Sequence, residues 1–152
     1  RAADMGRVQH EISLGQVCRE RYGEDAVLIG FGTDRGTVAA ASDWDEPMEV
    51  KIVRRSHPES VERLFADAGA DRLLLDLGER LPEDLAEALR RERLQRFIGV
   101  IYRPETELAS HYMDAALADQ FDAYVWFAET RAVTPLPEEP RPGAPETWPF
   151  GL

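Results

Sequence analysis

The reading of AVLIGFGTDRGTVAAA, residues 26–41, governs everything around it. Val27, Leu28, Ile29 and Phe31 make a short apolar run, the mark of a strand buried on both faces. Gly32, Thr33, Asp34, Arg35 and Gly36 then form a glycine-bracketed polar stretch, after which residues 37–41 resume with small and β-branched types. This predicts a strand, a tight loop and a returning strand. GFGTDRG carries three glycines, but strand and not helix follows it, so no helix N-terminus meets a phosphate there. Polar groups at the end of a buried strand are a common place for a site.

Upstream, Ser13 and Gln16 form a capping-box pattern, and Leu14, Val17, Cys18 and Tyr22 mark one apolar stripe of a helix stopped by Gly23. Helix followed by buried strand is half of a βαβ unit. Downstream, residues 48–53 alternate apolar and charged, as an edge strand would. Ser56 and Glu59 make a second capping box, with Val61, Leu64, Phe65 and Ala68 as the stripe of a helix ending at Gly69. A strand is predicted over 72–77, and Pro82 opens a helix with Leu85 and Leu89 inward. FIGVIY, residues 97–102, reads as a second buried strand, 108–117 as a short helix or turn, and AYVWF, residues 123–127, as the last strand. From Pro135 the chain carries six prolines, which predicts an extended tail laid over the body and anchored by Trp148 and Phe150. The fold class is α/β: a mixed, partly parallel sheet with flanking helices, with 1–134 as the body and 135–152 as the tail.

At 152 residues and 43% hydrophobic, the chain holds one domain with a core. Its net charge is −11, with 29 acidic residues against 17 arginines and one lysine, Lys51. That sign repels phosphate backbones and anionic lipid, so neither nucleic acid nor a membrane surface is expected as a partner. No apolar run approaches the roughly 18 residues of a membrane span. Cys18 is the only cysteine, which excludes an intrachain disulfide and agrees with a reducing cytoplasm. Residues 1–13 have neither an initiator methionine nor the look of an opening element, so the chain reads as a piece that is incomplete without an upstream part.

Catalytic constellations are scarce. No serine stands in the Gly-x-Ser-x-Gly pattern of a nucleophile elbow. His10, His57 and His111 lie far apart without metal-ligand spacing, so no metal or cofactor is expected. The pairs Glu105 with Glu107 and Asp43 with Asp45 read as solvated turns. His111, after a predicted buried strand, is the histidine best placed for a site.

Taken together, MGRVQHEISLGQVCRERYGEDAVLIGFGTDRGTVAAAS, RLLLDL, FIGVIYRPETELASHYMDAALADQFDAYVWFAETRAVTPL and the closing ETWPFGL resemble the C-terminal part of the erythromycin esterase family, which includes succinoglycan biosynthesis proteins. The resemblance runs from Met5 to Leu152. It implies a hydrolase in which a histidine acts as general base on a water that attacks an ester such as a macrolactone, and it carries a family association with antibiotic resistance. The family's catalytic histidines and glutamates lie before the matching segment, so no catalytic residue is carried over.

From this follows an expectation about the site. Thr33, Asp34, Arg35, Tyr102 and His111 sit at one rim, lining or supporting a cleft whose reactive groups belong to an N-terminal part of the same protein. Arg35 is the expected contact to an anion or carbonyl. The substrate is a small-molecule ester; the chain alone is inactive and associates with itself through an uncovered apolar edge. The competing expectation is a non-catalytic α/β binding or scaffold module of the same fold.

Overall fold

The computed structural model describes residues 10–134. The predicted tail with Trp148 and Phe150 and the stretch before His10 lie outside the described residues. Within them, α1 spans Leu14–Tyr22, β1 Ile29–Ala40, β2 Glu49–Val53, α2 Val61–Asp67, β3 Arg72–Asp76 and α3 Glu83–Arg90. After these come β4 Arg93–Arg96, α4 Glu107–Ser110, β5 Tyr112–Ala115, α5 Leu117–Gln120 and β6 Ala123–Thr130.

Four strands form one sheet in the order β2-β1-β6-β3, and β4 pairs with β5 in a second. The β1–β6 ladder is parallel, Ile29 facing Ala123 and Arg35 facing Glu129, while β2 and β3 run antiparallel to their neighbours. The chain is thus a mixed, partly parallel α/β structure, and β2 is the edge strand that its alternation predicts.

The hairpin within residues 26–41 does not form: β1 is one strand of twelve residues, straight through Gly32–Gly36. The glycines serve close approach rather than a turn. A Cβ on Gly32 would collide with the phenol of Tyr124, and at Gly36 (φ +130) it would collide with the backbone of Thr130. The antiparallel partner of β1 is β2, reached through residues 41–48. FIGVIY is likewise not a strand. It lies across the end of β1 with a single bridge, Ala41 to Ile101, and the hydrogen bonds Ala41 N–H to Val100 O (2.8 Å) and Tyr102 N–H to Ala41 O (3.1 Å). Instead, the more polar RLQR just before it pairs, because β5 completes its ladder and the buried side chains of Gln95 and Arg96 find hydrogen-bond partners.

The core lies on one face of the large sheet. Tyr124 and Trp126 of β6 meet Val61 and Phe65 of α2, Leu89 of α3 and Leu117 of α5, with Leu73 and Leu75 of β3 packed against them. Phe65 stacks on Tyr124 at 5.4 Å. A smaller cluster joins Ala40, Val53 and Tyr102. The capping serine of α2 is Ser60, whose Oγ accepts from Arg63 N–H at 3.2 Å; Ser56 is engaged elsewhere.

Among the described residues, nothing packs over the other face. Alternation and register put Ile29, Phe31, Val50, Ile52, Leu74 and Phe127 together on it, with Phe31 69% and Ile52 73% exposed. The expectation that the first half of β1 is buried on both faces is therefore corrected within the described residues. The same holds for α1: Ser13 caps it, accepting from Gln16 N–H at 3.1 Å, but none of its residues is buried, and Leu14, Val17 and Tyr22 face outward.

Candidate functional site

Polar groups converge where β1 and β6 run in parallel toward their C-terminal ends, the region where α/β sheets place ligands. Asp34 turns toward the core face and is 1% exposed. Its Oδ1 accepts from Ser56 Oγ (2.6 Å) and Ser56 N–H (3.1 Å). Its Oδ2 lies 3.2 Å from Arg35 Nη1 and 3.5 Å from Arg55 Nε. Burial alone would push this carboxyl up; the two Ser56 hydrogen bonds, the Arg35 bond and the Arg55 charge outweigh it and hold the carboxyl below its ordinary value. Arg35 is 42% exposed and reaches the other way to Glu129 Oε2 at 3.2 Å. Thr33 Oγ1 donates to the Arg35 carbonyl at 3.0 Å, which ties the loop-like sequence into an extended shape.

Beneath these residues lies a buried guanidinium. Arg96 donates to the carbonyls of Thr33 (2.6 Å), Asp34 (2.9 Å) and Arg54 (2.8 Å) and to Glu107 Oε1 (3.0 Å). Tyr102 donates its hydroxyl to that same carboxylate oxygen at 2.6 Å, and its titration is pushed far up by burial and by Glu107. The His111 ring lies 5.1 Å from the Tyr102 ring. Its Nε2 accepts from Arg103 N–H at 3.0 Å, which leaves the proton on Nδ1, donated to Phe97 O at 3.2 Å. Both ring nitrogens are thus engaged, and the side chain joins the two ends of the 97–103 segment.

The five residues singled out from the sequence fall in one connected network. Thr33 and Asp34 are tied through Arg96 and Glu107 to Tyr102, and Tyr102 packs on His111. Arg35 is the one that presents a charged group to solvent, while Asp34, Tyr102 and His111 are buried under it. A cleft of about 370 Å³ adjoins, lined by Phe31, Thr33, Val53, Glu62, Arg96 and Phe127 among others. Glu62 Oε1 accepts from Arg96 N–H at 3.0 Å, whereas Glu62 Oε2 has no partner among the described residues.

Sequence reasoning missed Arg96, Glu107, Ser56 and Arg55. No pattern distinguished Arg96 from its sixteen fellow arginines. Ser56 carries a capping pattern that pointed to a different task. Among the described residues, no group of three His, Cys, Asp or Glu side chains is arranged to hold a metal ion, and no helix is long and apolar enough to cross a membrane.

A family model described as erythromycin esterase matches residues 1–130. A crystal structure of a succinoglycan biosynthesis protein superposes with a TM-score of 0.66 at 20% identity, covering 86% of this chain and 31% of that one. A Bacillus cereus protein gives 0.64 at 19% identity, with 77% and 28% covered. At such identity the likeness is one of fold, and the chain spans about a third of the length of these solved structures.

Proposed function

The chain belongs to the erythromycin esterase family, and from that premise we propose that it is the C-terminal portion of a hydrolase in which water attacks a carboxylic ester, a macrolactone being one such substrate. The histidine and glutamate side chains that move protons belong, on this reading, to an N-terminal part of the same protein, and the chain alone is inactive. The carrying observation is the uncovered sheet face, on which six large apolar side chains cluster beside the polar end of β1. All-parallel sheets are covered on both faces, and antiparallel ones that leave a face to water make it polar; an open face of large apolar side chains fits neither. Covering each of these side chains is worth about 1.5–3 kcal/mol, a strong drive toward a partner. The solved relatives, three times longer, have chain enough to supply one.

Thr33, Asp34, Arg35, Tyr102 and His111 make the rim. Arg35 reaches the ester carbonyl, an anion or a carboxylate of the N-terminal part; Thr33 and Asp34 set its direction, and Tyr102 and His111 support the segment behind it. The substrate is a small-molecule ester and the compartment is the cytoplasm.

Ester hydrolysis by the full-length parent tests this, with Arg35→Ala and His111→Ala measured beside it. Arg35→Ala is expected to lower kcat/KM by about ten- to a hundredfold, the worth of a charge-assisted hydrogen bond. His111→Ala leaves Arg103 N–H and Phe97 O unpaired, so a loss of about 1–3 kcal/mol in stability accompanies its lower rate. Rates unchanged in both variants would remove the rim.

A further inference from the structure

In a chain of net charge −11, the polar end of the β1–β6 ladder gathers guanidinium groups. Arg35, Arg55 and Arg63 lie within 4.0 Å of the one Asp34 carboxylate, the first two on the same oxygen. Arg131 follows Glu129 by two residues, and Thr37 Oγ1, which accepts from Ala132 N–H at 2.8 Å, fixes the backbone there. Arg55 is 68% exposed and contacts Asp34 through Nε; its two terminal nitrogens have no partner among the described residues. Arg35 spends one donor on Asp34 and one on Glu129. A guanidinium carries five N–H donors, so both side chains keep unspent ones.

An exposed arginine pair would ordinarily repel and spread. Here Asp34, buried and held by Ser56, fixes both groups at one oxygen, and pre-organised charge is what anion recognition requires. We propose that Arg35 and Arg55, aligned by Asp34, form a clamp for a carboxylate group, so that the substrate of the rim is an ester that also bears a free carboxylate, and Arg55 is a specificity-determining residue. The planar, two-pronged match of guanidinium to carboxylate favours this over a compact point-charge contact. The substrate assignment rests on the hydrolase reading; the clamp itself does not.

The test is isothermal titration calorimetry of the whole 152-residue chain with glutarate, inorganic phosphate and neutral glutaramide, at low and matched ionic strength. Glutarate is expected to bind, glutaramide not to, and phosphate to bind more weakly than glutarate. Arg55→Ala and Arg55→Lys should each weaken glutarate binding by about tenfold or more. Arg91→Ala, which removes the same charge at the far end of α3, should leave it unchanged. Circular dichroism checks that the variants fold. Glutarate binding no better than glutaramide, equal binding in Arg55→Ala, or phosphate binding preferred and preserved by lysine would each overturn the clamp. Glutarate binding together with an inactive parent would keep the clamp and remove the hydrolase; an active parent without glutarate binding would do the reverse.

Discussion

At the scale of the residue, two buried acids sit close together in the same region and respond to pH in opposite senses. Asp34 is held below its ordinary value by Ser56, Arg35 and Arg55 despite its burial. The stability it gives is present above the unfolded value of about 3.9 and is lost as pH falls through its lower folded value. Burial, the largest influence on Glu62, raises its carboxyl, although the Arg96 N–H and guanidinium pull the other way. A raised carboxyl binds its proton more tightly when folded, so its contribution is complete below about 4.3 and is lost as pH rises through the folded value. Glu62→Gln keeps an oxygen for Arg96 N–H and removes the titration. From about pH 4.3 to neutral, the urea midpoint of the parent should therefore fall relative to that of the variant, which lacks this titration. Asp34→Asn should cost about 1–3 kcal/mol at neutral pH, since it removes the charge that faces three guanidinium partners. An unchanged midpoint would mean that Ser56 alone holds the site.

At the scale of the element, β1 is the lesson. Its half-buried Gly32 and Gly36 are packing positions, and Gly32→Ala should lower Tm by the equivalent of about 1–3 kcal/mol as the new methyl meets the Tyr124 phenol. Tyr124 Oη has no partner among the described residues, so adding Tyr124→Phe should restore part of the loss, the ring carbon Cζ at 2.7 Å remaining in the way. A Gly32→Ala variant as stable as the parent would return the stretch to a turn-like role. From the sequence alone, residues 32–36 read as a hairpin because glycine with Asp and Thr is the common chemistry of turns. What decided otherwise was non-local: an aromatic ring from β6, ninety-two residues away, that needs the vacant space. The edge strand β2, β3, the Ser13 cap and the buried Val61 and Phe65 of α2 were legible because their signals are local and periodic, whereas Leu64 and Ala68 of the same predicted stripe are exposed. FIGVIY and RLQR were not, because strand formation there is set by which segment finds a paired neighbour. Within the site, Asp34 and Arg35 stood out as polar residues at the end of an apolar strand, whereas Arg96 is assigned only by the four carbonyl and carboxylate oxygens around it.

At the scale of the whole molecule, the described residues form a sheet with one face packed and one bare. That asymmetry is what the proposed function rests on: in that proposal the bare face seats the rest of a larger hydrolase, and the rim beside it meets the reactive groups that part would supply. Left without that cover, apolar faces in solution find each other. Sedimentation velocity of the chain by itself, with Phe31→Lys and Leu74→Lys as companions, measures this directly. Concentration-dependent association at micromolar levels, dispersed to monomer by either lysine on the open face, is the result predicted. A parent chain that stays monomeric and melts in one sharp two-state transition would contradict it.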